Sequence, residues 1–183
     1  MAFDSIGVLG LGNVLMGDDA FGPWVISWLR ARYVFPDRVV VEDLGTPGLD
    51  LYPHLVAHQA VILVDTVRAS ATPGTIRRYD DSEILRHPPG PRVSPHDPGL
   101  KEALSALRLA GTGPRSVVLI GAVPEVVAYG VGLTRAVQDA VPRAADHVRR
   151  ELLLLQITGI TDRREPEPVE PWWEQSRGFI DES

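Results

Sequence analysis

Three short apolar runs rich in β-branched residues, the first two each followed by a helical signal, constrain this chain more than any other feature. Ile6-Gly7-Val8-Leu9-Gly10 reads as a buried strand ended by glycine. Residues 39–41 (Val-Val-Val) and 60–64 read as two more, the last ending at Asp65. Between the first two, Phe21, Trp24, Val25, Trp28 and Leu29 recur at helical spacing, predicting a helix over residues 20–33 with Asp18 or Asp19 capping its first turn. Thr46-Pro47 reads as an N-cap and first-turn proline opening a helix to about residue 57. Strands that alternate with helices demand a parallel sheet with right-handed crossovers. The expected fold is therefore α/β: a three-layer sandwich, its twisted sheet mostly parallel, with helices on both faces.

The rest of the chain is less regular. Pro73-Gly74 suggests a hairpin leading into a strand over 75–79, and the prolines at 88, 89 and 91 make a loop of 86–91. Asp97-Pro98 repeats the cap-and-proline signal ahead of a helix to about residue 109 that turns Leu100, Ala103, Leu104 and Leu107 inward. A further strong strand is expected over 116–123, then one helix over 133–155 kinked near Pro142. The expected division is a domain over 1–160 and an acidic, proline-rich, mobile tail over 161–183 containing Trp172 and Trp173, which could dock on a partner or on the domain.

Composition narrows the chemistry. With 24 acidic against 18 basic residues and a net charge of -6, the chain repels phosphate backbones, so no nucleic-acid partner is expected. It has no cysteine, which removes disulfides, thiolate metal sites and a cysteine nucleophile together. No basic leader precedes an apolar run and no stretch suits a membrane span, so neither a membrane partner nor export is expected, and cytoplasmic residence follows.

Ligands of parallel α/β sheets bind outside the carboxyl ends of the strands. Asp19 follows the first strand, Asp65 ends the third, and His96 lies in a proline-bounded loop before a helix. Two carboxylates and an imidazole suit a borderline ion such as nickel or zinc better than magnesium, and three protein ligands leave coordination positions open. From the residues alone, Asp19 could equally be a helix cap, Asp65 a strand end and His96 an ordinary loop histidine.

GLGNVLMGDDAFG at 10–22, DLGTPG at 43–48, VILVDTV at 61–67, SPHDPGL at 94–100 and LIGAVPE at 119–125 resemble, in order and spacing, the motifs of the NiFe-hydrogenase maturation endopeptidases. The likeness spans about residues 5–155. It implies a peptide hydrolase, aspartic-type in the family's terms, that clips a C-terminal extension from a large-subunit precursor once nickel has been inserted. It also implies that Asp19, Asp65 and His96 contact that nickel, which belongs to the substrate, with no permanent organic cofactor. The metal contact then acts as a checkpoint, since precursor without nickel lacks the contact that positions the bond. Water could be activated by the metal or by a carboxylate, and Asp43 is the candidate base, unless it only supports the turn at Gly45. No serine occupies a Gly-x-Ser-x-Gly elbow.

Departures from the family pattern are Leu44, where relatives often carry a glycine, and Asp97 after the histidine, where some carry glutamine. The doubled acid leaves Asp18 as an alternative to Asp19. Gly10, Gly12, Gly45 and Gly48 answer to backbone needs. Two other readings remain. A nicotinamide-dependent oxidoreductase would use Gly10-Leu11-Gly12, but Leu15 stands at the third glycine and the acids oppose a pyrophosphate. A non-catalytic nickel-dependent chaperone or sensor of the immature subunit would bind without cutting.

Overall fold

The computed structural model describes residues 3–86, 100–169 and 171–175. In chain order its elements are β1 (Ile6–Gly10), α1 (Phe21–Arg32), β2 (Tyr33–Val34), β3 (Val39–Asp43), α2 (Leu51–Val56), β4 (Ala60–Thr66), β5 (Ile76–Asp80) and α3 (Asp81–Arg86). There follow α4 (Leu100–Ala110), β6 (Ser116–Ala122), α5 (Arg135–Gln138), α6 (Val141–Leu154), β7 (Thr161–Asp162) and α7 (Trp172–Gln175). The sheet runs β3-β1-β4-β6-β5, with β5 alone antiparallel.

Alternation along the central strands divides the apolar residues between two cores. Ile6, Val8, Ile62, Val64, Val118 and Ile120 face α1 and α6, joining Phe21, Val25, Leu29, Ala144, Val148 and Leu152. Leu9, Val61, Leu63, Val117 and Leu119 face the other way, onto Leu51 and Leu55 of α2, Ile84 of α3, and Leu104 and Leu107 of α4. β1, β4 and β6 are buried on both sides, which is why they read as unbroken apolar runs. The three-layer, mostly parallel architecture is the one expected.

Several local expectations are corrected. Pro73-Gly74 does not make a hairpin, because β4 already pairs with β1 and β6; Gly74 donates to the Val123 carbonyl and β5 joins the outer edge of β6. The helix expected from Thr46-Pro47 begins later, at Leu51, because Gly48 sits at φ 56° and breaks a right-handed start. The long helix expected over 133–155 is two, α5 and α6, with Pro142 in the first turn of α6, where its missing N–H costs nothing. Neither Asp18 nor Asp19 caps α1, whose N-cap is Ala20.

Described residues beyond 160 contact the preceding chain. β7 pairs with β2, and the backbone N–H groups of Arg163 and Glu167 donate to the Arg32 and Ala31 carbonyls at the end of α1. Trp173 is 4% exposed and meets Trp24 edge to face, with ring centroids 6.1 Å apart. Of the expected loop over 86–91 only Arg86 is described, as the last residue of α3; residues 87–91, the Asp97-Pro98 cap and His96 lie outside the described residues.

Candidate active site at the carboxyl edge of the sheet

From β1 the chain goes out to β3 on one side, then crosses back to β4 on the other, so the strand order reverses beside β1. A crevice at that point is where open α/β sheets place their ligands. Gly10 pairs with both Asp43 and Val64, which puts the ends of β3, β1 and β4 in one row, with Asp65 a residue further along β4. Asp43 and Val64, two strand spacings apart, are separated by about 10 Å.

A 3-10 turn over Gly17–Ala20 brings both acids of the Asp18-Asp19 pair to this edge, and the two diverge sharply. Asp18 is 0% exposed. Its Oδ2 accepts the backbone N–H groups of Glu125 and Val126 at 2.8 and 2.9 Å and the Thr134 hydroxyl at 3.0 Å, and its Oδ1 accepts the Thr134 N–H at 2.7 Å. Four donors surround this carboxylate and clamp the turn to the segment after β6. Asp19 is only partly buried. Its Oδ2 accepts the Asn13 N–H at 2.9 Å and its Oδ1 the Thr66 hydroxyl at 3.1 Å. Thr66 directly follows Asp65, so its hydroxyl ties the Asp19 carboxylate to the end of β4.

Asp65 is 4% exposed, and its Oδ1 accepts the Thr66 N–H at 2.8 Å. The structure thus brings Asp19 and Asp65 to one rim. Among the described residues no cluster of three His, Cys, Asp or Glu side chains is assembled to hold a metal, and His96 is outside those residues.

Asp43 does support the turn after β3: its Oδ1 accepts the Gly45 N–H at 2.9 Å, while the Gly45 carbonyl accepts the Gly12 N–H. Burial pushes the Asp43 carboxyl above its ordinary value, against the Gly45 hydrogen bond and the field of Arg30, which pull it down. Gly12 answers to a strict backbone need. At φ 141°, a Cβ there would lie 1.8 Å from the Asp19 carbonyl oxygen, so the close pass of the glycine loop under the acid turn requires hydrogen at that position.

Sequence reasoning left unread the clamp made by Asp18 and the roles of Thr66 and Asn13. The doubled acid was the only signal for the first. Asn13 carried the second, since its side chain accepts the Leu15 N–H in an Asx-type turn that aims its own N–H at Asp19.

Residues 23–151, well over half of the chain, match the family model HycI, described as hydrogenase maturation protease. The chain belongs to the hydrogenase maturation protease family. The hydrogenase expression/formation protein HoxM of Cupriavidus necator is 38% identical over 147 residues, 78% of this chain and 73% of that protein. The hydrogenase 2 maturation protease of Escherichia coli is 34% identical over 142 residues, 77% of this chain and 86% of that protein. The solved structure of the hydrogenase maturating endopeptidase HybD from E. coli superposes with a TM-score of 0.80 at 33% identity, covering 87% of this chain and 98% of that one. Membership makes the chain a hydrogenase maturation endopeptidase and removes the nicotinamide-dependent alternative. Among the described residues no helix is long and apolar enough to cross a membrane.

Proposed function

We propose that the chain removes the C-terminal extension from a nickel-loaded NiFe-hydrogenase large-subunit precursor, with Asp19, Asp65 and His96 contacting the substrate's nickel. The observation that carries this is the convergence of Asp19 and Asp65 through Thr66 at the switch point of the sheet, from positions 46 residues apart in the chain (65 minus 19).

Chain connectivity supports the inclusion of His96. α4 ends a short turn before β6 begins, and its 11 residues run back about 16 Å toward the carboxyl edge. His96 precedes Leu100 by four residues, a reach of up to about 14 Å. In this reading the carboxylates and the imidazole complete the coordination of an ion delivered by the substrate, and the bond to be cut is held by that contact. Asp18 takes no direct part, since its four donors already surround it. Asp43 is the proposed general base, acting through a water given its distance from the β4 end, with a carboxyl shifted upward toward the working range of such a base.

The test follows the mass of nickel-loaded precursor incubated with wild type, Asp19→Asn and His96→Ala. Loss of a C-terminal peptide with wild type alone supports the reading. Binding without any mass change would replace it with the non-catalytic chaperone.

A further inference from the structure

An open cleft of about 460 Å³ adjoins the acid turn. It is lined by Gly17, which precedes Asp18, by Thr134, which donates to the Asp18 carboxylate, and by Trp24 of α1, Leu133 and Glu174 of α7. This size falls within the range that encloses a small ligand or a short stretch of peptide. The outer lip is the segment after β6, which runs beside the glycine loop: Gly130 donates to the Leu15 carbonyl and Asp18 donates to the Val126 carbonyl. Along that lip Tyr129 is 88% exposed, with Leu15 and Val126 also open to solvent. Apolar side chains gathered on a rim beside a catalytic edge mark a surface that meets another protein.

One lining residue beyond the family match, Glu174, comes from the C-terminal segment. That match ends at 151, yet α7 places Trp173 against Trp24 and Glu174 on the cleft. The attachment is deliberate in structural terms, because Arg163 donates from Nε to the Arg30 carbonyl and from its backbone N–H to Arg32, which lays the following segment along α1.

We propose that this cleft receives the precursor polypeptide, in extended form, on its approach to the bond that is cut, and that the C-terminal segment is a selectivity element for that polypeptide. The inference rests on the endopeptidase reading. Its support is continuity: Gly17 lines the cleft and opens the turn that carries Asp19, so a chain lying in the cleft passes beside that turn. An endopeptidase must also hold residues flanking its target bond, and the apolar lip supplies side-chain contacts beside exposed backbone.

The test measures Kd, KM and kcat for nickel-loaded precursor with wild type, Tyr129→Ala, Trp173→Ala and, as a control on the opposite layer, Leu109→Ala at a 92% exposed site. Tyr129→Ala and Trp173→Ala are expected to raise Kd and KM about tenfold with kcat within about twofold, as for truncated interface anchors. Leu109→Ala should change none of them. Melting temperature is followed throughout, and if Trp173→Ala unfolds, Tyr129→Ala decides alone. Unchanged Kd in folded Tyr129→Ala overturns the cleft while leaving the protease reading intact. Wild type that binds but does not cut overturns the protease reading, and the Tyr129 dependence of Kd still judges the cleft. A wild type that neither binds nor cuts overturns both.

Discussion

Two adjacent aspartates should respond to the same substitution in opposite ways. In Asp18→Asn the amide can place its oxygen where Oδ2 now accepts three donors, but its NH2 group then faces the Thr134 N–H, donor against donor. One charge-assisted bond is lost and one buried N–H is left unmet, and the remaining three bonds lose their ionic component. Relief of the carboxylate's own burial offsets part of this, so the expected loss is about 2–4 kcal/mol. For a chain of this length that corresponds to a fall in melting temperature of roughly 5–15 °C. Asp19→Asn keeps one of two peripheral acceptors and should cost about 1 kcal/mol or less, yet abolish precursor cleavage. The assay pairs thermal melts with mass spectrometry of the cleaved precursor. A melting temperature for Asp18→Asn within about 2 °C of wild type, or a larger drop for Asp19→Asn, would refute the assignment of clamp and contact to these two residues.

Three further expectations bear on the same edge. Gly12→Ala places a Cβ 1.8 Å from the Asp19 carbonyl and should cost more than about 3 kcal/mol, whereas Gly45→Ala, with nothing within 4 Å, should cost only about 1–2 kcal/mol for its left-handed backbone; equal melts for the two would count against the close-pass argument. Asp43 has a folded value raised by burial, so its favourable contribution is fully present below the ordinary 3.8 and is lost as pH rises through the folded value; Asp43→Asn should therefore gain stability relative to wild type as pH rises above 3.8, read by melts at increasing pH. His58 is depressed, chiefly by burial, while Glu42 pulls it up and His54 pushes it down; its contribution is present above the ordinary 6.5 and lost as pH falls through the folded value, so the advantage of wild type over His58→Gln should shrink on acidification.

What the sequence determined by itself was the layer architecture and, with it, the sheet edge at which ligands of such a fold bind. Short β-branched runs alternating with helical periods permit little besides a parallel sheet covered on both faces, and the polar residues that end such strands must lie at its carboxyl edge. Asp43 and Asp65 fall at that edge because they lie at the ends of β3 and β4, whereas Asp19, nine residues beyond β1, reaches it only through the turn over Gly17–Ala20. Tertiary structure decided what local pattern cannot carry. The partners of Asp18 lie 107 to 116 residues away, so no window of sequence distinguishes it from Asp19. β5 joined β6 because β4 had no open edge, a fact about the whole sheet rather than about Pro73-Gly74. The segment after 160 reads as a mobile tail by composition, yet Trp173 packs edge to face on Trp24, more than a hundred residues earlier in the chain. Periodicity is set by neighbours in sequence, whereas hydrogen-bond satisfaction and burial are set by neighbours in space, and only the folded chain supplies those.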